Sequence, residues 1–427
     1  MTDLRAWLSR PVDAASLHAF RRLFALLMFI SVIRFTARGW IAAVYIDPQI
    51  HLPFWGLEFL RPWPGPGMYL EFAALALAAL ALAVVRSPRA PALVFFLLFT
   101  HVELLEQTAY LNHYYLVSLL ALLLAFAPTF DRTLAPRWIL WALRLQVGLV
   151  YVFAGLAKLR GDWLIDAQPL RTWLAGHAGF PLLGPILARP ETAHVMSWAG
   201  AAFDLTAPFL LLHPRTRPFA FLAVVAFHAL TGLLFPIGMF PWIMACSALL
   251  FFPPSWPRQL ARLLGVPTPV PSDSPPPRLP RLGLAALAVH FAVQLTLPLR
   301  HHLYPGDVGW TEEGFRYAWH VMLVEKTGMV TFRVHDPASG RTFVVHPEDA
   351  LTPQQAKQVA IAPDLILQLA HHVARDFAAR GLPGVAVYAD AFVAYNGRPS
   401  ARLVDPDIDL ARERDTLAPR RWILPMP

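Results

Sequence analysis

"RWILWALRLQVGLVYVFAGLAKLRGDW" (residues 137–163) decides how the rest of the chain is read. A helix that crosses a bilayer needs roughly 17–25 mostly apolar residues, and the run 137–157 has that length and character. The run closes on a lone lysine, Lys158. One reading makes it an interfacial anchor whose stem lies in lipid and whose ammonium reaches water. The other makes it a catalytic base, because an ionisable group at membrane depth is costly and marks a functional site by default.

The composition around this stretch favours a membrane protein. Of 427 residues, 56% are hydrophobic and 15% charged, against roughly 25% charged in a soluble domain. Mean hydropathy is +0.46. The formal charge of +8 does not point to nucleic acid. The basic residues fall in short loops between apolar runs, which is a topology signal. The single cysteine, Cys246, excludes an internal disulfide and a cysteine-based metal site. The opening "MTDLRAWLSRPVDAASLHAF" has no cleavable signal pattern, so the first apolar run is expected to stay as an anchor.

Nine transmembrane helices are expected, near 19–37, 67–86, 91–107, 111–129, 137–157, 196–213, 216–235, 237–252 and 282–300. Gly232, Pro236, Gly238 and Pro241 interrupt the stretch 231–252, which reads as two tilted or broken helices lining a cavity. With the N-terminus cytoplasmic, the inner loops collect Arg5, Arg10, Arg21, Arg22, Arg86, Arg89, Arg132, Arg137, Arg215, Arg217, Arg258, Arg262, Arg278 and Arg281. The first outer loop holds Arg38 and Arg61. This alternation fits the positive-inside rule.

Residues 1–300 therefore read as a transmembrane helical domain. Within it, 253–281 forms a cytoplasmic Pro-rich linker. Residues 301–427 read as a small extracytoplasmic α+β domain. "GMVTFRVHDPASGRTFVVHP" (328–347) has the pattern of a hairpin. "TPQQAKQVAIAPDLILQLAHHVARDFAARG" (352–381) begins with a threonine cap and ends in glycine, so it predicts a helix. "GVAVYADAFVAYNGRPSARLVDP" (384–406) carries two alternating runs around Asn-Gly, a turn signal.

Polar residues gather at one side of this layout. Asn112 and His113 open the fourth helix at its outer end, and Lys158 closes the fifth there. His228 lies in the outer half of the seventh, and His301 and His302 follow the ninth. The inner halves look free of such residues, which argues against a transporter. Each has an ordinary reading as anchor, turn residue or helix-packing hydrogen bonder, and the aromatics of 309–323 fit an interfacial belt. Their convergence on one side favours a site. Desolvation disfavours a charged lysine, which suits Lys158 to act as a general base. A histidine and an asparagine beside it can hydrogen-bond a phenolic or quinol ring, and a site at membrane depth suits a lipid-soluble cofactor. His-x₃-His and paired-carboxylate spacings are absent from the helices, so no metal is expected. No Gly-rich phosphate loop is present.

Several stretches together resemble the vitamin K-dependent γ-glutamyl carboxylase family in a short bacterial form with an HTTM-type membrane domain. They are "TAYLNHYYL", "VYVFAGLAKLRGDWL", "FHALTGLLFPIGMF" with "FFPPSWPR", "LPLRHHLYPGDVGWTEEGFRYAWHVML", and "VYADAFVAYNGRPSARLVDPDIDL" followed by "RRWILP". They occur in the family's order across roughly residues 15–427. The resemblance implies a membrane carboxylase. A lysine deprotonates vitamin K hydroquinone (a menaquinol-type cofactor here) and oxygen attacks the anion. An alkoxide formed on the way to the epoxide takes a γ-proton from glutamate, and CO2 adds to the carbanion. The family's lysine falls on Lys158 and its Asn-His pair on Asn112 and His113. His228, His301, Trp310, Tyr317, Trp319 and Met322 are implied to line the quinol or glutamate pocket. The implied partners are the bilayer and a glutamate-containing peptide or protein.

The chain also departs from the family. The first lysine of its Lys-Lys pair is Ala157, an expected tyrosine before Arg316 is Phe315, and an expected asparagine three residues after His228 is Thr231. The animal enzyme has a disulfide this sequence cannot form. It also continues well past the position of Pro427, through regions that help recognise its substrates' propeptide. Two rivals follow from the residues: a quinol epoxidase uncoupled from peptide carboxylation or acting on another acceptor, and a non-enzymatic quinone- or lipid-binding membrane protein. With Lys158 as the catalytic base, Arg160, just past it, takes over the anchoring role.

Overall fold

The computed structural model describes residues 2–127, 133–268 and 278–427; Arg132 and linker residues 269–277 lie outside them. Each apolar run is helical: α1 (Ala15–Ala37), α2 (Gly67–Val84), α3 (Arg89–Leu105), α4 (Asn112–Phe126), α5 (Arg137–Ala157), α6 (Pro190–Leu212), α7 (Arg217–Leu234), α8 (Phe240–Ala248) and α9 (Arg281–Thr296). α9 continues as a 3₁₀ segment, Leu297–Leu303.

Among the described residues, six segments are long and apolar enough to cross a membrane: α1, α2, α5, α6, α7 and Arg281–Leu303. The expectation of nine is not met by length. α3 has 17 residues, α4 has 15 and α8 has 9. α4 starts late because residues 106–111 bend, with a 3₁₀ turn at Gln107–Ala109. α8 is short because Phe235–Met239 break the chain after α7. Pro236 has no amide to donate, and Gly238 takes φ +63°. This is the interruption that the sequence led us to expect.

α5 is the most enclosed of the six spans, with 67% of its apolar window buried against 11% for the last span. It packs on α6, α4, α8 and α9. The expectation that polar groups gather only at one end of the spans is corrected by Arg144 and Gln146, which lie in the first half of α5, the half away from Lys158. His290 of α9 hydrogen-bonds Gln146 of α5 at 2.9 Å, and Gln146 contacts Gln294 at 3.4 Å. Gln294 in turn donates to the Tyr115 hydroxyl at 2.8 Å. Arg144 donates to the carbonyls of Leu250 and Phe252. These groups satisfy one another, as buried polar groups in hydrocarbon must. A three-residue ladder that the sequence did not reveal, β1 (Pro11–Asp13) with β2 (Leu134–Pro136), ties the start of α1 to the start of α5.

The C-terminal part is a four-stranded antiparallel sheet of β3 (Lys326–His335), β4 (Thr342–Val345), β5 (Ala386–Tyr395) and β6 (Ala401–Arg402), in the order β4-β3-β5-β6. β3 and β4 are the expected hairpin. The helix expected over 352–381 is instead two, α10 (Pro353–Val359) and α11 (Pro363–Ala379). Pro363 disfavours helix at the residue before it. The threonine cap is present: Thr352 and Gln355 form a reciprocal capping box. Asn396 and Gly397 both hold positive φ, 46° and 76°, after β5. α11 covers one face of the sheet, burying Phe332, Val334, Val387 and Ala391.

This domain is fastened to the loop after α5. Arg160 pairs with Asp307 at 2.5 Å, so it is a tether between the two parts rather than a membrane anchor. Asp162 accepts from Arg398 at 2.6 and 2.9 Å and from Asn396 at 2.9 Å. Both contacts fix the C-terminal domain over the end of α5 that carries Lys158.

Candidate active site

α5 ends at Ala157, and Lys158 caps it. Its side chain turns inward and is 4% exposed. Nζ lies 2.8 Å from Asp204 Oδ2, 3.3 Å from the Ala154 carbonyl and 3.4 Å from the Val321 carbonyl. An ammonium has three donors, and three acceptors surround this one. The Trp163 ring lies 5.1 Å away, in cation–π range. The surroundings are therefore not the purely apolar ones expected from sequence, because a carboxylate from the middle of α6 shares them. α5 and α6 come this close because of Gly155. A Cβ there would sit 2.7 Å from Leu205 Cγ and 2.9 Å from the Leu205 backbone nitrogen.

Lys158 and Asp204 face a slot lined also by Tyr151, Trp163, His228, Phe240, Met196, Met244 and Met322. His228 Nε2 hydrogen-bonds the Tyr151 hydroxyl at 3.0 Å. Its Nδ1 is buried with no partner. The break after α7 supplies Phe235 and Ile237 to the wall. Unfilled space along these side chains totals about 640 Å³, but only about 60 Å³ is clear for a water-sized body. A bicyclic ring enters only if side chains move. Three methionines are suited to that, being flexible and polarisable.

The implied site residues divide into groups. Lys158, His228 and Met322 line the slot. His113 stands behind it: Phe240 lies between the two histidines, 5.9 Å from the His113 ring and 5.6 Å from that of His228. His113 Nε2 is buried without a partner. Asn112 accepts from the Tyr110 hydroxyl at 2.9 Å and donates to the His320 carbonyl at 3.3 Å. It thus holds the 317–322 strap rather than facing the slot. Trp319 stacks on Tyr115 at 5.2 Å inside the helical core. Tyr317 faces a second cavity on the far side of that strap. Trp310 is in the core of the C-terminal domain, donating to the Leu424 carbonyl at 2.8 Å. His301 packs on His302 and His320, with ring centroids at 4.0 and 5.1 Å. The strap is strained, since Tyr317, Trp319 and Met322 have φ of 62°, 59° and 56°, unusual for bulky side chains.

Three site residues escaped the sequence reading. Asp204 had a clear signal, a carboxylate in the middle of an apolar span. Tyr151 had none, because a tyrosine in a span usually reads as packing. His320 lay inside an aromatic stretch taken as an interfacial belt. It is buried, both ring nitrogens lack partners, and Phe315 stacks on it at 5.1 Å. Burial pushes its pKa down from 6.5 to about 3, and the nearby positive charges of His301, Arg160, Arg300 and Lys158 push the same way. Among the described residues no group of three or more His, Cys, Asp or Glu side chains is placed to hold a metal ion.

Two family models match the chain. Residues 9–256 match the HTTM domain, and residues 279–427 match the vitamin K-dependent gamma-carboxylase, lumenal domain. No solved structure matches it.

Proposed function

The chain belongs to the vitamin K-dependent γ-carboxylase family, and from that premise we propose a multi-pass membrane enzyme that couples oxygenation of vitamin K hydroquinone to its epoxide with γ-carboxylation of glutamate residues. The observation that carries this reading is the buried Lys158–Asp204 pair at 2.8 Å, facing a slot lined also by His228, whose Nδ1 is buried with no partner. An orphaned buried polar atom beside aromatic and thioether walls fits a hydroquinone, which has phenolic oxygens on a flat apolar ring.

Hydroquinone supplies the electrons for reducing oxygen, while CO2 supplies the added carbon. The chain's own residues hold and move the proton. Asp204 takes a proton from the Lys158 ammonium, leaving a neutral amine that can accept one from a phenolic oxygen in the slot. His228, its Nε2 held by Tyr151, would offer Nδ1 to a ring oxygen. Trp163 and Phe240 would supply aromatic walls for the ring, and Met196, Met244 and Met322 would yield to admit it. His113 and Asn112 act behind this layer, the first against Phe240 and the second on the strap.

In this reading α3, α4 and α8 complete nine crossings, with the N-terminus cytoplasmic. Residues 1–300 form the membrane domain and 301–427 the extracytoplasmic one. The contact between Lys158 and the Val321 carbonyl supports placing the site on the side of the C-terminal domain.

The test uses purified protein in nanodiscs with vitamin K hydroquinone, oxygen, labelled bicarbonate and a glutamate-containing peptide. Epoxide and peptide-bound label are expected together, and both should vanish in Lys158→Ala. Epoxide without label would identify an uncoupled epoxidase. Folded protein that makes neither overturns the proposal.

A further inference from the structure

A cavity of about 760 Å³ lies between α9 and the ends of α3, α4 and α5 that point away from Lys158. α9 rests on α5, and the cavity separates it from α3 and α4. The walls are mostly apolar, with Leu93 on α3, Leu123 and Phe126 on α4, Trp138 on α5 and Leu287 on α9. Leu93 and Phe126 are exposed, so they mark a side open to the bilayer. Gly283 and His290, both on the α9 wall, are seven residues apart, about 10 Å at 1.5 Å per residue. One leaflet supplies about 15 Å of hydrocarbon, half of the whole core. The cavity therefore follows α9 through most of one leaflet. His290 at its deep end already hydrogen-bonds Gln146 of α5 at 2.9 Å. Apolar walls give water too few partners to stay, so hydrocarbon is the filling that suits this depth.

The mouth has a different character. Arg89 opens α3, and its Nε donates to the Ala127 carbonyl, just past the end of α4, at 2.8 Å. Arg278 comes three residues before α9, and the chain beside it is held in place. The Leu279 carbonyl accepts from Arg5 Nε at 2.7 Å, and the Leu279 amide donates to Ser9 Oγ at 3.1 Å. Both Arg89 and Arg278 line the cavity and are exposed. Among the described residues neither has an acidic partner, and no aspartate or glutamate lines the cavity. Two cations thus stand at the mouth of an apolar space with no acid to balance them.

We infer that this cavity binds an anionic phospholipid of that leaflet, its phosphate held by Arg89 and Arg278 and one acyl chain running along α9 towards His290. Basic pockets between membrane helices suit such headgroups, and the planar fork of arginine matches phosphate oxygens two at a time. A zwitterionic lipid brings its own cation to the same mouth and gains less. Quinol has no anionic group for the arginines to hold, so the site is independent of the chemistry proposed for Lys158. The bound chain would brace α9, which leads through Leu297–Leu303 into the C-terminal domain.

Trp138 reports on the site. Acyl-brominated phosphatidylglycerol or phosphatidylcholine is titrated as a fraction of the nanodisc lipid around the full-length protein, and tryptophan quenching is followed. The quenching lost in Trp138→Phe is the part that reads the cavity. It should reach its half-maximum at a lipid fraction at least about tenfold lower for phosphatidylglycerol than for phosphatidylcholine, as two arginines at a charged headgroup warrant. Arg89→Gln/Arg278→Gln should bring the two curves together, while Arg89→Lys/Arg278→Lys should keep most of the separation. Ala286→Phe fills the cavity from the α9 side and should abolish Trp138 quenching by both lipids. Thermal midpoints report whether each variant is folded. Coinciding curves in the parent, or a folded double glutamine variant that quenches like the parent, overturns the site. A brominated fatty acid that quenches Trp138 as well as phosphatidylglycerol does would overturn the phospholipid as occupant.

Discussion

Lys158 Nζ and Asp204 Oδ2 are 2.8 Å apart, with both side chains less than a tenth exposed. Breaking a buried pair leaves one charge uncompensated and costs roughly 3–5 kcal/mol, whereas replacing both partners by apolar groups of similar size is often neutral. Asp204→Ala should therefore lower the thermal midpoint sharply. Lys158→Met/Asp204→Leu should recover most of it while remaining inactive. A double variant no more stable than Asp204→Ala would show that the pair is not an energetic unit.

His320 predicts how the protein responds to mild acid. Its folded pKa is pushed down to about 3 from 6.5. Below about pH 6.5 the unfolded chain binds a proton that the folded one refuses. Stability is then full above that pH and falls as pH drops towards 3, by up to about 1.4 kcal/mol per pH unit. His320→Phe keeps a flat ring against Phe315 and removes the titration. Thermal midpoints measured from pH 7.5 to pH 5, a range of about two and a half units, should fall less steeply in the variant. Parallel profiles would refute the assignment.

Why one carboxylate was missed and the lysine was not has a physical basis. Hydropathy located the helices because twenty apolar residues leave a chain few alternatives in lipid. The break at Pro236 and Gly238 was legible because each residue has a specific backbone consequence. Lys158 stood out because it ends a run. Asp204 sits where only its charge marks it, and no periodicity says that it faces α5. Trp310 was implied to line a pocket. The same indole can fill a domain core, and only the tertiary contact with the Leu424 carbonyl decides. The left-handed residues of the strap were hidden for a related reason, since Tyr317, Trp319 and Met322 are not types that announce positive φ. The two-helix break at Pro363 was readable in principle but was overridden by the apolar pattern on both sides.

Asp162 is the hinge of the contact between the two parts of the chain. Burial pushes its pKa up, but hydrogen bonds from Arg398 and Asn396 and the nearby charges of Arg398 and Arg160 outweigh this and leave it below the usual 3.8. A depressed carboxylate contributes stability above its unfolded pKa and loses it as pH falls through the folded one. Docking through Asp162 should be indifferent to pH from about 8 to 5 and weaken only below about 4. Arg398→Gln should weaken it at all pH values by about 1 kcal/mol, since the pair is partly exposed. Hydrogen exchange at 161–166 and 396–402 reports both effects. Exchange in Arg398→Gln that matches the parent would remove Asp162 from the docking contact.

Gly155 tests whether geometry between α5 and α6, rather than the presence of Lys158 and Asp204 alone, makes the site. A methyl group there meets Leu205 Cγ at 2.7 Å and its backbone nitrogen at 2.9 Å, closer than real Cβ contacts allow. Backbone cannot yield as a side-chain tip can, so Gly155→Ala should push α6 away from α5 and stretch the pair. The expected cost is about 1–3 kcal/mol of stability, typical of overpacking. Activity should fall further than stability does, because a displacement of about 1 Å at a catalytic group can cost about a hundredfold. Gly155 touches no substrate in this arrangement, so it is a positioning residue. The discriminating readout is the pH profile. If the Lys158–Asp204 pair sets the proton transfer, Gly155→Ala should shift the profile of kcat as well as lower it, and Leu205→Ala in the same chain should restore part of both by removing the Cγ and Cδ2 contacts while the contact with the backbone nitrogen stays. A rate reduced at every pH by the same factor, with no rescue by Leu205→Ala, would mean that Gly155 serves only packing.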